Sequence, residues 1–258
     1  MLVILALVVA ALVSQQPETL SLLGEPLYPL PLSKSDRAQA DETLRAAHAA
    51  YENEPNAVAN VLALARAHLA FGRVGDAIEI LTHGLEANAD DPQLLRDRGR
   101  GYILIRKFDI AQRDLRKSAE KAPEATCDLA LAQYLAGAFP HAQASYAHCK
   151  APGVFGYLSA RRAGATAERP PVARPQTGPE EIRMPGSTAP KKEKARPPLA
   201  TDYLDAAELL IAGKKDEATS RLKDIVQKHR KGEWMDPAYI AAEADYARVY
   251  KPPRKKKK

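Results

Sequence analysis

The sequence predicts an all-α solenoid of stacked helical hairpins, about three repeats long, with a disordered Pro-rich linker and a C-terminal helical segment behind it. The first observation is a spacing of 34 residues (111 − 77) between Ala77 and Ala111. Around each of them the same pattern recurs: Gly72 and Arg106 five before, Val74 and Phe108 three before, Leu81 and Leu115 four after. Further upstream Ala65 matches Gly99 and Leu69 matches Ile103. The second observation is compositional: aromatics make up only 6% of the chain and alanine does much of the apolar work, which suits closely packed helices better than a sandwich or barrel. Third, two short helices split by a tight turn cannot bury their apolar face alone and must stack on a neighbour.

At the N-terminus, Leu2 to Val13 form an unbroken apolar run. A helix of that length measures about 18 Å, short of a hydrocarbon core of about 30 Å. It fits the apolar core of a secretory signal peptide over residues 1–14, with Ser14 as the last residue before cleavage. Export to the periplasm or medium is therefore expected, and a cytoplasmic location is the alternative. Residues 15–34 carry Pro26, Pro29 and Pro31, which forbid a regular helix and predict an extended stretch. Ser33 or Ser35 caps the next helix, so residues 35–54 form a capping helix or half repeat.

Two full repeats follow, at about 56–90 and 91–123. A third is centred on Ala142, 31 after Ala111 (142 − 111), with Gly137, Phe139 and Tyr146 at the repeat offsets, and the repeat domain spans 35–162. Residues 163–200 change character. Eight prolines and several Lys or Arg occur there with few large apolar residues, so this segment is expected to stay disordered or polyproline-like. In 201–250 the offsets return weakly around Ala218, with Ala206, Leu210, Gly213, Leu222 and Ile225, as a degenerate hairpin. Asp236-Pro237 then opens a last helix that ends before Pro252.

These spacings resemble the tetratricopeptide repeat. The stretch RDRGRGYILIRKFDIAQRDLRKSA is similar to repeats of exported bacterial proteins of that family. The resemblance covers roughly half of the chain. It implies a superhelix whose first helices line a concave groove that receives a peptide or partner protein. Carried over, the groove residues are Leu62, Arg66 and Leu69 in the first repeat, Gln93, Arg96, Arg100 and Ile103 in the second, and Leu131 and Tyr134 in the third. Arg66 and Arg100 stand 34 apart (100 − 66), and their planar forks suit carboxylates, so an acidic partner is expected. Leu131 breaks that ladder in the third repeat, so the family's carboxylate-clamping set is not reproduced.

No arrangement of a catalytic kind is present in the sequence. It has no Gly-Lys-Ser/Thr phosphate loop, HExxH, GxSxG or paired CxxC, and Gly99-Arg100-Gly101 falls inside a repeat helix at a close-approach position. The reading is a non-enzyme with no cofactor, metal or small-molecule substrate. His141, His148, Cys127 and Cys149 gather in one repeat without a standard ligand spacing. Cys127, early in the third repeat's first helix, and Cys149, late in its second, meet in an antiparallel hairpin and are expected to form a disulfide in an exported protein.

The net charge of +6 equals the charge of the tail residues Lys251, Arg254, Lys255, Lys256, Lys257 and Lys258. Two function classes follow: an envelope scaffold that holds a partner protein in the groove, or a module docked on a polyanionic or membrane surface through that basic tail. No aromatic platform or basic recognition helix supports specific nucleic-acid binding.

Overall fold

A computed structural model describes residues 16–29, 31–171 and 199–250. The signal-peptide run, most of the expected linker (172–198) and the basic tail lie outside the described residues. The architecture is all-α apart from one small hairpin. Eleven helices are found among the described residues: α1 Lys34–Asn53, α2 Val58–Ala70, α3 Val74–Ala87, α4 Pro92–Leu104, α5 Phe108–Ala119, α6 Ala125–Leu135, α7 Phe139–Tyr146, α8 Gly153–Arg162, α9 Leu199–Ile211, α10 Lys215–His229 and α11 Pro237–Val249. Each packs on the next through α8, and α9, α10 and α11 pack on one another.

Local chemistry sets the helix starts. Ser33 accepts from the Asp36 amide to open α1, Asp91 accepts from the Gln93 and Leu94 amides ahead of Pro92, and Asp236 accepts from the Ala238 amide ahead of Pro237. The turns between paired helices share one solution. Gly72, Arg106, Gly137 and Gly213 have positive φ, and the next residue's amide bonds the carbonyl five residues earlier: Arg73 to His68, Lys107 to Tyr102, Ala138 to Gln133, Lys214 to Leu209. This is the Schellman closure, which satisfies carbonyls at a helix end and requires the left-handed backbone that glycine adopts at least cost. The same closure in α9–α10 identifies it as a fourth hairpin despite its weak sequence match.

Small residues let the helices approach. A Cβ on Gly99 would stand 2.6 Å from Leu115 Cγ, so alanine does not fit there without displacement. The first repeat packs through Val61, Leu81 and Leu94. The larger core joins Leu104, Leu115, Leu131 and Leu135 of the repeats to Tyr203, Leu204, Trp234, Tyr239 and Ile240 from beyond the linker. Residues 199–250 are therefore part of the repeat stack and not a separate lobe.

Three boundaries differ from expectation. Within 15–34, Thr19–Leu20 (β1) pairs antiparallel with Pro26–Leu27 (β2), turned through Gly24 at φ 79°, where the prolines alone suggest only extension. The expected linker is shorter at both ends, because Arg169 pairs with Asp205 and Glu208 and Leu199 is already buried in α9. Finally, α8 packs on α7 and touches α6, as α4 packs on α3 and touches α2. It ends in the same closure, with Gly164 at φ 88° and the Ala165 amide on Ala160. Among the described residues, α9 also lies against it.

Candidate functional site

The row of first helices α2, α4 and α6 carries the nine groove residues implied by resemblance, and the structure divides them. Arg66 is well exposed, with 57% of its side-chain surface free, Gln93 is exposed and Leu69 half-buried. Leu62, Arg100, Ile103, Leu131 and Tyr134 are buried. Ile103, Leu131 and Tyr134 belong to the core shared with α9 and α11; Phe155 of α8 and Tyr203 of α9 flank Tyr134, and the two tyrosine hydroxyls are 2.6 Å apart. The nine residues thus do not form one open groove. Its third-repeat part is filled by the chain's own C-terminal helices.

Carboxylates that sequence reasoning missed already engage the arginines. Arg66 Nε donates to Asp97 Oδ2 at 2.8 Å, Arg96 Nε and Arg100 Nε both donate to Asp128 Oδ2 at 2.7 and 3.0 Å, and Arg100 reaches Asp97 at 3.8 Å. Asp97 and Asp128 are both nearly buried, so this ladder links α2, α4 and α6 through charge-assisted bonds. A signal for it existed: Asp97 and Asp128 are 31 apart (128 − 97), the offset already seen between Ala111 and Ala142. Of the two arginines expected to face a partner, only Arg66 presents an accessible side chain.

A second group lies along the turn edge. Arg106 is the one non-glycine residue at positive φ among the described residues, at 64°. Its side chain is 3% exposed and donates from Nε to Glu243 at 2.8 Å, from Nη2 to the Trp234 carbonyl at 2.8 Å and from Nη1 to the Leu104 carbonyl, with the Trp234 and Tyr239 rings about it. Burial pulls its pKa down, and Glu243 opposes that shift. Glu243 is fully buried and also accepts from the Leu22 amide at 2.9 Å. One carboxylate thereby ties the N-terminal hairpin, a repeat turn and the last helix together. Trp234, just before the last helix, is 1% exposed and donates from Nε1 to the Tyr28 carbonyl.

Asp245 is the counterpart two residues on. It accepts from both terminal nitrogens of Arg162, from Arg248 and from the Tyr203 hydroxyl, while Arg248 also reaches the Leu135 carbonyl. Burial pushes the pKa of Tyr203 and of Tyr134 well up. For Arg162, burial works downward, but Tyr203, Tyr134 and Asp245 outweigh it and the group stays charged. Both carboxylates are enclosed by donors and tie helices from distant parts of the chain together.

Cys127 and Cys149 are joined as a disulfide, with Cα atoms 5.5 Å apart. His141 and His148 are exposed, and among the described residues no group of three or more His, Cys, Asp or Glu could hold a metal. His68 packs at the repeat position of Tyr102, with Nδ1 3.1 Å from Asp76.

With this geometry in view, residues 36–96 match the family model of the tetratricopeptide repeat, a stretch that runs from α1 into α4. No curated protein matches the chain.

Proposed function

We propose that this chain, a tetratricopeptide repeat protein, is a non-enzymatic scaffold of the bacterial cell envelope that holds a partner protein on the open end of its first-helix row. Such repeats generally mediate protein–protein interaction. The observation that carries the finer reading is the division of the groove: Arg66, Leu69 and Gln93 remain accessible while the third-repeat positions are filled from within. A partner segment therefore lies across α2 and α4, and an acidic side chain on it competes with Asp97 for the exposed edge of Arg66. The bonded Cys127–Cys149 pair supports export, because disulfides persist in oxidising compartments, and the apolar run Leu2–Val13 supports it as a signal peptide.

The test is crosslinking of tagged full-length protein in cells, read by mass spectrometry. The expected result is one dominant envelope protein and a mature chain beginning near Gln15. Arg66→Glu should lower capture about tenfold, the equivalent of about 1.4 kcal/mol. Unchanged capture by that variant removes the groove reading, and retention of Met1 removes export.

A further inference from the structure

Building on the groove reading above, we propose that the Cys127–Cys149 bond is a redox latch on that groove. While the bond is closed, Asp128 occupies Arg96 and Arg100. When a dithiol reduces it, those arginines pass to the carboxylates of a bound acidic segment.

Cys127 stands in the third repeat where Arg96 stands in the second (127 − 96 = 31), and Cys149 where Ser118 stands (149 − 118 = 31). In the second repeat this end of the hairpin is closed by hydrogen bonds. Ser118 Oγ donates to the Pro92 carbonyl, and α4 begins on the Asp91 cap. In the third repeat no side chain caps α6, and α7, eight residues long, buries Ala142 and Tyr146 alone. The disulfide does there what a hydroxyl and a cap do one repeat earlier, but it is closed and opened by electron transfer.

Asp128 follows Cys127 in the first turn of α6, and its Oδ2 accepts from Arg96 Nε at 2.7 Å and from Arg100 Nε at 3.0 Å. The two arginine side chains are 16% and 10% exposed, against 57% for Arg66. The carboxylate that withholds them from a partner is therefore carried by the turn that the disulfide fastens. With the bond open, that turn has only the weak hold of an uncapped helix end, and Asp128 moves with it.

The bond is within reach of a reductant. Both cysteines are half-buried, and Cys149 lies among the exposed Ala147, His148 and Lys150. One thiolate of the dithiol attacks a sulfur of the bond, and the other cysteine leaves as thiolate. The second thiol then displaces the first cysteine. Two electrons and two protons pass to the cysteines, which end as thiols, and the dithiol ends as a disulfide.

The experiment treats full-length protein with phenylglyoxal, oxidised and after reduction by dithiothreitol and its removal, and reads modified arginines by mass spectrometry. Arg66 should react in both states, and Arg106 and Arg162, buried against Glu243 and Asp245, in neither. Arg96 and Arg100 should react about tenfold faster in the reduced protein, a coupling of ordinary size. Equal protection in both states overturns the proposal. So does their exposure together with Arg106, which marks loss of the whole fold. Hexaglutamate at low salt should bind the reduced protein about tenfold more tightly. By reciprocity it should raise the reduction potential of the bond by about 30 mV, the equivalent of tenfold for two electrons. Equal affinity for the two states also overturns the proposal. The groove reading fails separately, since capture of the cellular partner by oxidised protein, and its loss in Arg66→Glu, do not depend on the latch.

Discussion

Arg106 occupies a turn position where its counterparts Gly72, Gly137 and Gly213 are glycines, so its replacement separates backbone strain from side-chain bonding. In Arg106→Ala the left-handed backbone is kept by a residue with a Cβ, and three donated bonds are lost. Glu243 is then buried with the Leu22 amide as its remaining donor of the two. Removing one partner of a buried ion pair costs about 3–5 kcal/mol, because the other charge stays desolvated. Arg106→Gly suffers the same loss but relieves a left-handed cost of about 1 kcal/mol, so it should be the milder of the two by that amount. Adding Glu243→Gln to Arg106→Gly removes the uncompensated charge while leaving an amide oxygen for Leu22, and should recover about half of the loss. Urea unfolding followed through Trp234, the sole tryptophan, measures all three. A cost below about 1 kcal/mol for Arg106→Ala, or equal costs for alanine and glycine, would refute the reasoning.

Reducing the Cys127–Cys149 bond should lower stability by about 3 kcal/mol, the closure entropy of its loop, with the urea midpoint of oxidised and reduced protein as the readout. Identical midpoints would show that the hairpin does not depend on it. Gly99→Ala should cost about 1–3 kcal/mol, because the new Cβ meets Leu115, and a melting curve that does not move would contradict the close approach. In alkali, Tyr134, Tyr146, Tyr203 and Tyr239, four of the ten tyrosines, should stay neutral until the protein unfolds, since burial raises each of their pKa values. Their folded pKa values exceed the unfolded one of about 10, so the stability they contribute is complete below that pH and is lost as pH rises beyond it. Tyrosinate absorbance that reaches its full value before tryptophan emission changes would show these sites to be wet.

The hairpins were legible because helix pairs repeat their chemistry at a fixed period, and even the shortened third repeat kept its offsets. Asp236 was read as a cap, and Ser33 as one of two candidates beside Ser35, because capping is decided within four residues; Asp91 obeys the same rule and was missed. Arg106 was visible at the repeat position of Gly72, but nothing local says that an arginine will hold a glycine's backbone. The reason lies in Glu243, 137 residues away. Asp97 and Asp128 were also within reach of the 31-residue offset, although carboxylates on helix faces are usually solvated and only burial distinguishes these two. The acidic pair Glu243 and Asp245 on the Ala- and Tyr-rich last helix gave no comparable hint, since a charged pattern on one helix does not reveal that every residue from Ala238 to Tyr246 is enclosed.

By itself, then, the sequence determined what periodicity and local bonding control: the helical hairpins, their order, their caps and the small residues where helices touch. Only the tertiary structure decided which face stays open. A repeat exposes its concave side unless something from outside the period covers it, and the covering helices here, within residues 199–250, come from beyond the repeats. Their docking rests on long-range burial of Trp234, Tyr203 and the Arg106–Glu243 pair, interactions that depend on three-dimensional proximity and leave no regular spacing in the sequence.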